Sequence, residues 1–161
     1  MTLGSALALR ATATDNVCCA HGRDEAVPLH HVNFHTLDSK PIFENDVYHE
    51  AIRRLIRDVL RTRKVLCLAW EVMPTHVHMI VEDFVDMPLP IVIKTVKGVT
   101  AHDFLAIFPE LRGDLLGGHL WTKGYYAVGI VTYKQFLATL DYARTNRSNA
   151  SLPPPAPLKP H

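Results

Sequence analysis

The chain has 161 residues, of which 48% are hydrophobic and 20% charged, with a formal net charge of +1. That length suffices for one domain with a real core, and no apolar run reaches the roughly 18 residues that a membrane span requires. A near-neutral total argues against nucleic-acid binding by bulk charge and leaves only local basic surfaces, as in segment 40–64, with seven Lys/Arg against four acids.

Residues 1–27 lack periodicity and are rich in Ala, Thr and acids, which predicts a flexible N-terminal arm. The start, "MTLGSALALRATATD", makes a poor secretory signal because Arg10 interrupts a short apolar stretch. Cys18 and Cys19 are adjacent and Cys67 stands alone in an expected strand, so the cysteines form no disulfide scaffold and point to a reducing cytoplasm. "HHVNFHTL" (30–37) alternates, with Val32 and Phe34 on one face and His31, Asn33 and His35 on the other, the pattern of a half-buried strand. Residues 46–63 place Val47, Ala51, Ile52, Leu55, Ile56, Val59 and Leu60 on one helical stripe, with Asn45 or Asp46 as N-cap.

"KVLCLAWEV" (64–72) is a continuous apolar strand, "MPT" turns the chain, and "HVHMIVE" (76–82) returns as a hairpin. Residues 88–108 read as helical, with a break at Gly98 and a restart capped by Thr100. "GYYAVGIV" (124–131) is a fourth strand, and Thr132 caps a last helix running to about Asn146. The order β-α-β-β-α-β-α predicts an α+β fold: a ferredoxin-like or RRM-like antiparallel sheet with an appended C-terminal helix. The domain is expected over 28–150, and "SLPPPAPLKPH" (151–161) is a Pro-rich tail.

Histidine is a poor strand filler, so "THVH" raises a chemical question. Residues i and i+2 of a strand share a face, and roughly 7 Å separates their Cα atoms at a rise of ~3.3 Å per residue. His76 and His78 can therefore chelate one divalent cation if a third donor is supplied, or can stand as half-exposed histidines on a solvated face. Glu71 and Glu82 could orient them or simply solvate a strand end.

In the last helix, Tyr133, Phe136, Leu137, Leu140 and Ala143 cluster as an apolar stripe. Tyr142 falls about 160° away, on the face of Gln135, Thr139 and Asn146. Tyr142 and Asn146 are neighbours at i and i+4. With that face turned to the histidines, they would present a phenol and an amide oxygen; otherwise Tyr142 is an ordinary exposed tyrosine.

"MPTHVHMIVE" resembles the M-P-x-H-V-H segment of the IS200/IS605 single-strand DNA transposases and their REP-associated tyrosine relatives. The resemblance continues through "HHVNFHTLDSKPIF", "IKTVKGVTAHDF", "GGHLWTKGYYAVGIV" and "YARTNRSNASL", in order, over about 30–152. The final run matches the REP-associated pattern at Tyr142, Asn146, Ala150 and Leu152 and departs from it at Ala143, Arg147 and Ser151.

The resemblance implies that His76, His78 and Asn146 ligate Mg²⁺ or Mn²⁺ and that Tyr142 is the nucleophile. It also implies a single-stranded DNA substrate with hairpin ends and either a homodimer or a monomer. Arg53, Arg54, Arg57, Arg61, Arg63 and Lys64 are candidate phosphate contacts, or simply a solvated helix face. Trp121 is a candidate for stacking on a base, or packs under the last strand. Three alternatives remain open: a hairpin-binding protein that has lost catalysis, a replication-initiator nuclease using the same His-x-His and tyrosine chemistry, and a metal-binding protein unrelated to DNA.

Overall fold

Strand β3 (His76–Glu82) runs between β2 (Cys67–Val72) and β1 (Leu29–His35), and β4 (Tyr126–Ile130) closes the sheet on the far side of β1. All three pairings are antiparallel, in the order β2-β3-β1-β4. This is the split β-α-β arrangement expected from the element order. The computed structural model describes residues 28–83 and 86–149, with side chains along the last helix through Tyr142 and at Thr145. The expected arm over 1–27 and the Pro-rich tail lie outside the described residues.

Register fixes two unlike faces. Val32, Phe34, Val72, Val77, Met79 and Val81 point to one side and are buried in a single apolar cluster. Helices α1 (Asp46–Thr62) and α2 (Leu89–Ile107) cover that side, contributing Ile52, Ile56, Val92, Ile93, Val96 and Phe104. The other side carries His31, Asn33, His35, Glu71, His76, His78 and Tyr126, because each is one residue out of phase with the core set. After a short helix α3 (Leu111–Asp114), helix α4 (Tyr133–Asn149) lies over this polar side and packs against β2, β3 and β4.

Local signals set the helix ends. The Asn45 side chain accepts from the backbone N–H of Val47 and of Tyr48, so Asn45 is the N-cap of α1. At α4, the Gln135 N–H donates to Thr132 Oγ1, while Gln135 Oε1 accepts from the N–H of Val131 and of Thr132. This is the reciprocal capping box that the Thr132 cap anticipated.

Several expectations are corrected. Helix α2 runs unbroken through Gly98, where an added Cβ would meet nothing within 4 Å. Thr100 is no cap: it is buried in the helix, donates to the Val96 carbonyl at 2.6 Å, and accepts from Trp121 Nε1 at 3.1 Å. The hydroxyl has a tertiary partner, so the capping pattern "TAHD" is overridden. Lys64 adopts φ 54 after α1, and β2 starts only at Cys67. Val47 is 63% exposed and Tyr133 58% exposed, so neither belongs to the core. Helix α4 seats instead on Leu140, with Phe136 and Thr139 partly covered, turned toward the side that carries Tyr142.

Candidate active site

The site is built where β1 and β3 lie side by side. Asn33 pairs with His78 and His35 with His76, so residues 31, 33 and 35 stand beside the His-x-His pair. His76 Nε2 and His78 Nε2 approach to 3.0 Å. The remaining ring nitrogens have separate partners: His76 Nδ1 lies 2.9 Å from Thr75 Oγ1, and His78 Nδ1 lies 3.1 Å from His31 Nε2. His35 stacks on His76 at 4.9 Å between ring centroids, and His31 stacks on His78 at 5.2 Å.

Burial, reinforced by the neighbouring imidazoles, depresses the basicity of His76 and His78. His78 is only 3% exposed. Its pKa is pushed down to about 3 and that of His76 to about 4, burial being the main cause in both. Burial also lowers His31. At neutral pH His31, His76 and His78 are therefore uncharged, the form in which imidazole offers a lone pair. Two such lone pairs facing one another at 3.0 Å repel unless a proton or a cation lies between them.

The separation fits a cation. Cis donors on a six-coordinate ion with bonds of ~2.1 Å are about 3.0 Å apart. Among the described residues no group of three or more His, Cys, Asp or Glu side chains is arranged to hold a metal ion. A third donor would thus have to be of another kind, such as an amide oxygen. Asn146 lies on α4 one turn beyond Tyr142, but its side chain is outside those described.

Tyr142 comes down on this cluster from α4. Its ring meets His78 edge-on at 5.4 Å and His31 at 6.1 Å, and the residue keeps 47% of its surface exposed. A phenol that is both accessible and held beside paired imidazoles can act on a phosphate gripped there. A groove of about 340 Å³ runs over Asn33 and His35 of β1, Tyr126 of β4 and the loop of Thr122, Lys123 and Tyr125. Lys97 fixes that loop from α2 by donating to the carbonyls of Thr122 and Gly124.

The other sequence candidates lie elsewhere. Trp121 is 7% exposed, edge-on to Phe34 at 4.9 Å and tilted against Phe43 at 5.5 Å. It belongs to the core and presents no face to a base. Arg53 lies over the Trp70 ring at 5.8 Å, on the helix-covered side of the sheet away from the histidines. Arg54 pairs with Glu50, and Arg57 and Arg61 with Asp58, while Arg63 and Lys64 are exposed at the end of α1. Glu71 stands cross-strand from His78, whereas Glu82 pairs with Leu29, about 13 Å along β3 at the strand rise. His31, His35 and Thr75 join the site without having been singled out. The alternation of "HHVNFHTL" together with a β1–β3 pairing was the signal that could have found the two histidines.

Comparison with known proteins agrees with this geometry. Residues 28–144 match the family described as "Transposase IS200 like". The chain belongs to the IS200-like transposase family. It is similar to the ISDra2 transposase TnpA of Deinococcus radiodurans, at 29% identity over 76 residues, which is 47% of this chain and 54% of that protein. The match thus spans about half of that relative's length. Among solved structures, the fold is similar to that of a candidate transposase of Deinococcus radiodurans R1, with a TM-score of 0.62 and 23% identity over 79% of this chain and 97% of that one. It is also similar to a REP-associated tyrosine transposase bound to a REP hairpin, with a TM-score of 0.59 and 17% identity over 82% of this chain and 74% of that one. No helix among the described residues of this IS200-like protein is long and apolar enough to cross a membrane.

Proposed function

We propose that this member of the IS200-like transposase family cleaves and rejoins single-stranded DNA by transesterification through Tyr142, with a divalent cation held by His76, His78 and Asn146. The observation that carries the reading is the approach of the Tyr142 ring to within 5.4 Å of His78, whose Nε2 faces that of His76 at 3.0 Å. The tyrosine and the histidine pair are far apart in sequence, and the packing of α4 on the sheet brings them together.

In this reading Tyr142 Oη attacks the phosphorus of a phosphodiester. The new O–P bond gives a 5′-phosphotyrosine, the bond to the 3′ oxygen breaks, and the phenol's proton is balanced by the one gained at the released 3′-OH. A second 3′-OH reverses the step and joins its strand to the phosphate, with Tyr142 as leaving group. Phenols are far more acidic than alcohols, so tyrosine leaves readily and the linkage stays exchangeable. A bound Mg²⁺ or Mn²⁺ supplies polarisation of the phosphate and stabilisation of the departing oxygen. His76 and His78, uncharged in the folded chain, keep their lone pairs for that ion without proton competition at neutral pH.

The hairpin in the REP-associated structure supports a substrate with folded DNA ends. The groove over Asn33, His35 and Tyr126 supports a path for the unpaired strand beside the phosphate. Tyr142 lies against the histidines of its own chain, which supports a site completed within one protomer.

The test is incubation with a single-stranded hairpin oligonucleotide and Mn²⁺, followed by denaturing electrophoresis. A protein–DNA adduct that disappears with chelator is the expected result. Hairpin binding without any adduct would instead favour a non-catalytic hairpin-binding protein.

A further inference from the structure

We infer that His31 is a positioning residue, which holds His78 in the tautomer whose Nε2 lone pair faces His76. The inference rests on the metal reading above and assigns a role to a strand-β1 residue outside the His-x-His motif. Its basis is the chain of ring nitrogens. His78 Nδ1 lies 3.1 Å from His31 Nε2, and His78 Nε2 lies 3.0 Å from His76 Nε2.

A neutral imidazole carries one N–H, so His78 has two choices. With the proton on Nδ1 it donates to His31 Nε2, and its Nε2 lone pair opens toward His76. With the proton on Nε2 it donates to His76 instead, and the pair closes on itself with no site for a cation. With His31 Nε2 assigned as the acceptor of that contact, the first state is selected, because the hydrogen bond made at one nitrogen fixes what the other can do. His76 has an equivalent anchor at its own Nδ1 in the Thr75 hydroxyl, 2.9 Å away.

His31 is well placed to impose the choice. It sits on β1, a central strand paired on both sides, directly across from Ile80 and Val128. Its ring is stacked on His78 at 5.2 Å and bounded by the edge of Tyr142 at 6.1 Å, so it cannot swing away without disturbing both. The other histidine of β1 on this face, His35, stacks on His76 but is not the partner of the His78 Nδ1 atom.

The experiment uses the full chain and two readouts. Nitrogen-15 NMR of the chelator-treated protein reports the His78 tautomer, and calorimetric titration with Mn²⁺ reports affinity. The wild type is expected to show a protonated His78 Nδ1 and an unprotonated Nε2. His31→Leu is expected to lose that preference and to weaken Mn²⁺ binding by about 10–100-fold. His31→Gln, whose amide oxygen can still accept, is expected to recover most of the affinity. It also keeps the test valid if the Leu variant folds poorly. A His31→Leu protein that binds Mn²⁺ as tightly as wild type, or a wild-type His78 protonated at Nε2, would overturn this inference alone. Wild type that binds no Mn²⁺ would overturn the metal reading and this inference together.

Discussion

The two faces of the sheet come from the same four strands and could hardly differ more. On the helix-covered face, Val32, Phe34, Val77 and Met79 are sealed under α1 and α2. On the other, His31, Asn33, His35, His76 and His78 lie under a single helix that leaves Tyr142 half open. Alternation makes this possible, since every second residue can serve the core while its neighbours serve chemistry. The lesson is that the histidine pair needs no loop to hold it. A strand already fixed by burial of Val77 and Met79 holds His76 and His78 to within hydrogen-bond distances, which is the precision that metal and phosphate chemistry requires.

Substitutions should sort by face. On the polar face, Tyr142→Phe removes only a hydroxyl and should abolish the covalent DNA adduct while Mn²⁺ affinity and thermal stability stay at wild-type levels. Mixing Tyr142→Phe protein with His78→Ala protein should not restore the adduct, because Tyr142 lies against the histidines of its own chain; restored activity would show that the helix is exchanged between chains.

On the core face, Trp121→Ala should cost about 3–5 kcal/mol in chemical denaturation, the range for truncating a buried aromatic. Hairpin affinity measured on the folded fraction should be unchanged. A Trp121 variant that keeps its stability but loses DNA would break the division between faces.

Acid should act through the polar face. The unfolded chain's histidines protonate near their ordinary value of 6.5, whereas folded His76 and His78 hold out to about 4 and about 3. Within that window the unfolded state binds more protons, so stability rises with pH and falls on acidification. With chelator present, melting temperature should drop steadily from pH 6.5 toward 4, and His78→Gln should flatten the drop.

The smallest effect belongs to the helix that bears the tyrosine. Gln135→Ala removes the side-chain half of the reciprocal cap, the bonds Oε1 accepts from the N–H of Val131 and of Thr132, and should cost about 1 kcal/mol. The adduct rate should fall more than hairpin affinity, since α4 carries Tyr142.

Much of this was legible in sequence because period and caps are local properties. The strand alternation at 30–37 and 76–82 and the Asn45 and Thr132 caps follow from neighbours a few residues apart. What misled was tertiary. Thr100 looks like a cap until Trp121 arrives from the loop before β4 to use its hydroxyl. Trp121 looks available to a base until Phe34 and Phe43 enclose it. His31 and Thr75 gain meaning only once β1 and β3 are paired and the ring nitrogens are matched, which no spacing rule encodes. The α1 arginines show the converse: their charge is visible in sequence, but not that Glu50 and Asp58 already engage three of them.

The most direct test of the central claim is to trap the adduct formed with single-stranded hairpin DNA and Mn²⁺, digest it, and locate the nucleotide by mass spectrometry. A 5′-phosphate linked to Tyr142, and to no other of the chain's tyrosines, is the predicted result. An adduct mapped to Tyr126 or Tyr133, or one that survives in Tyr142→Phe, would contradict the account.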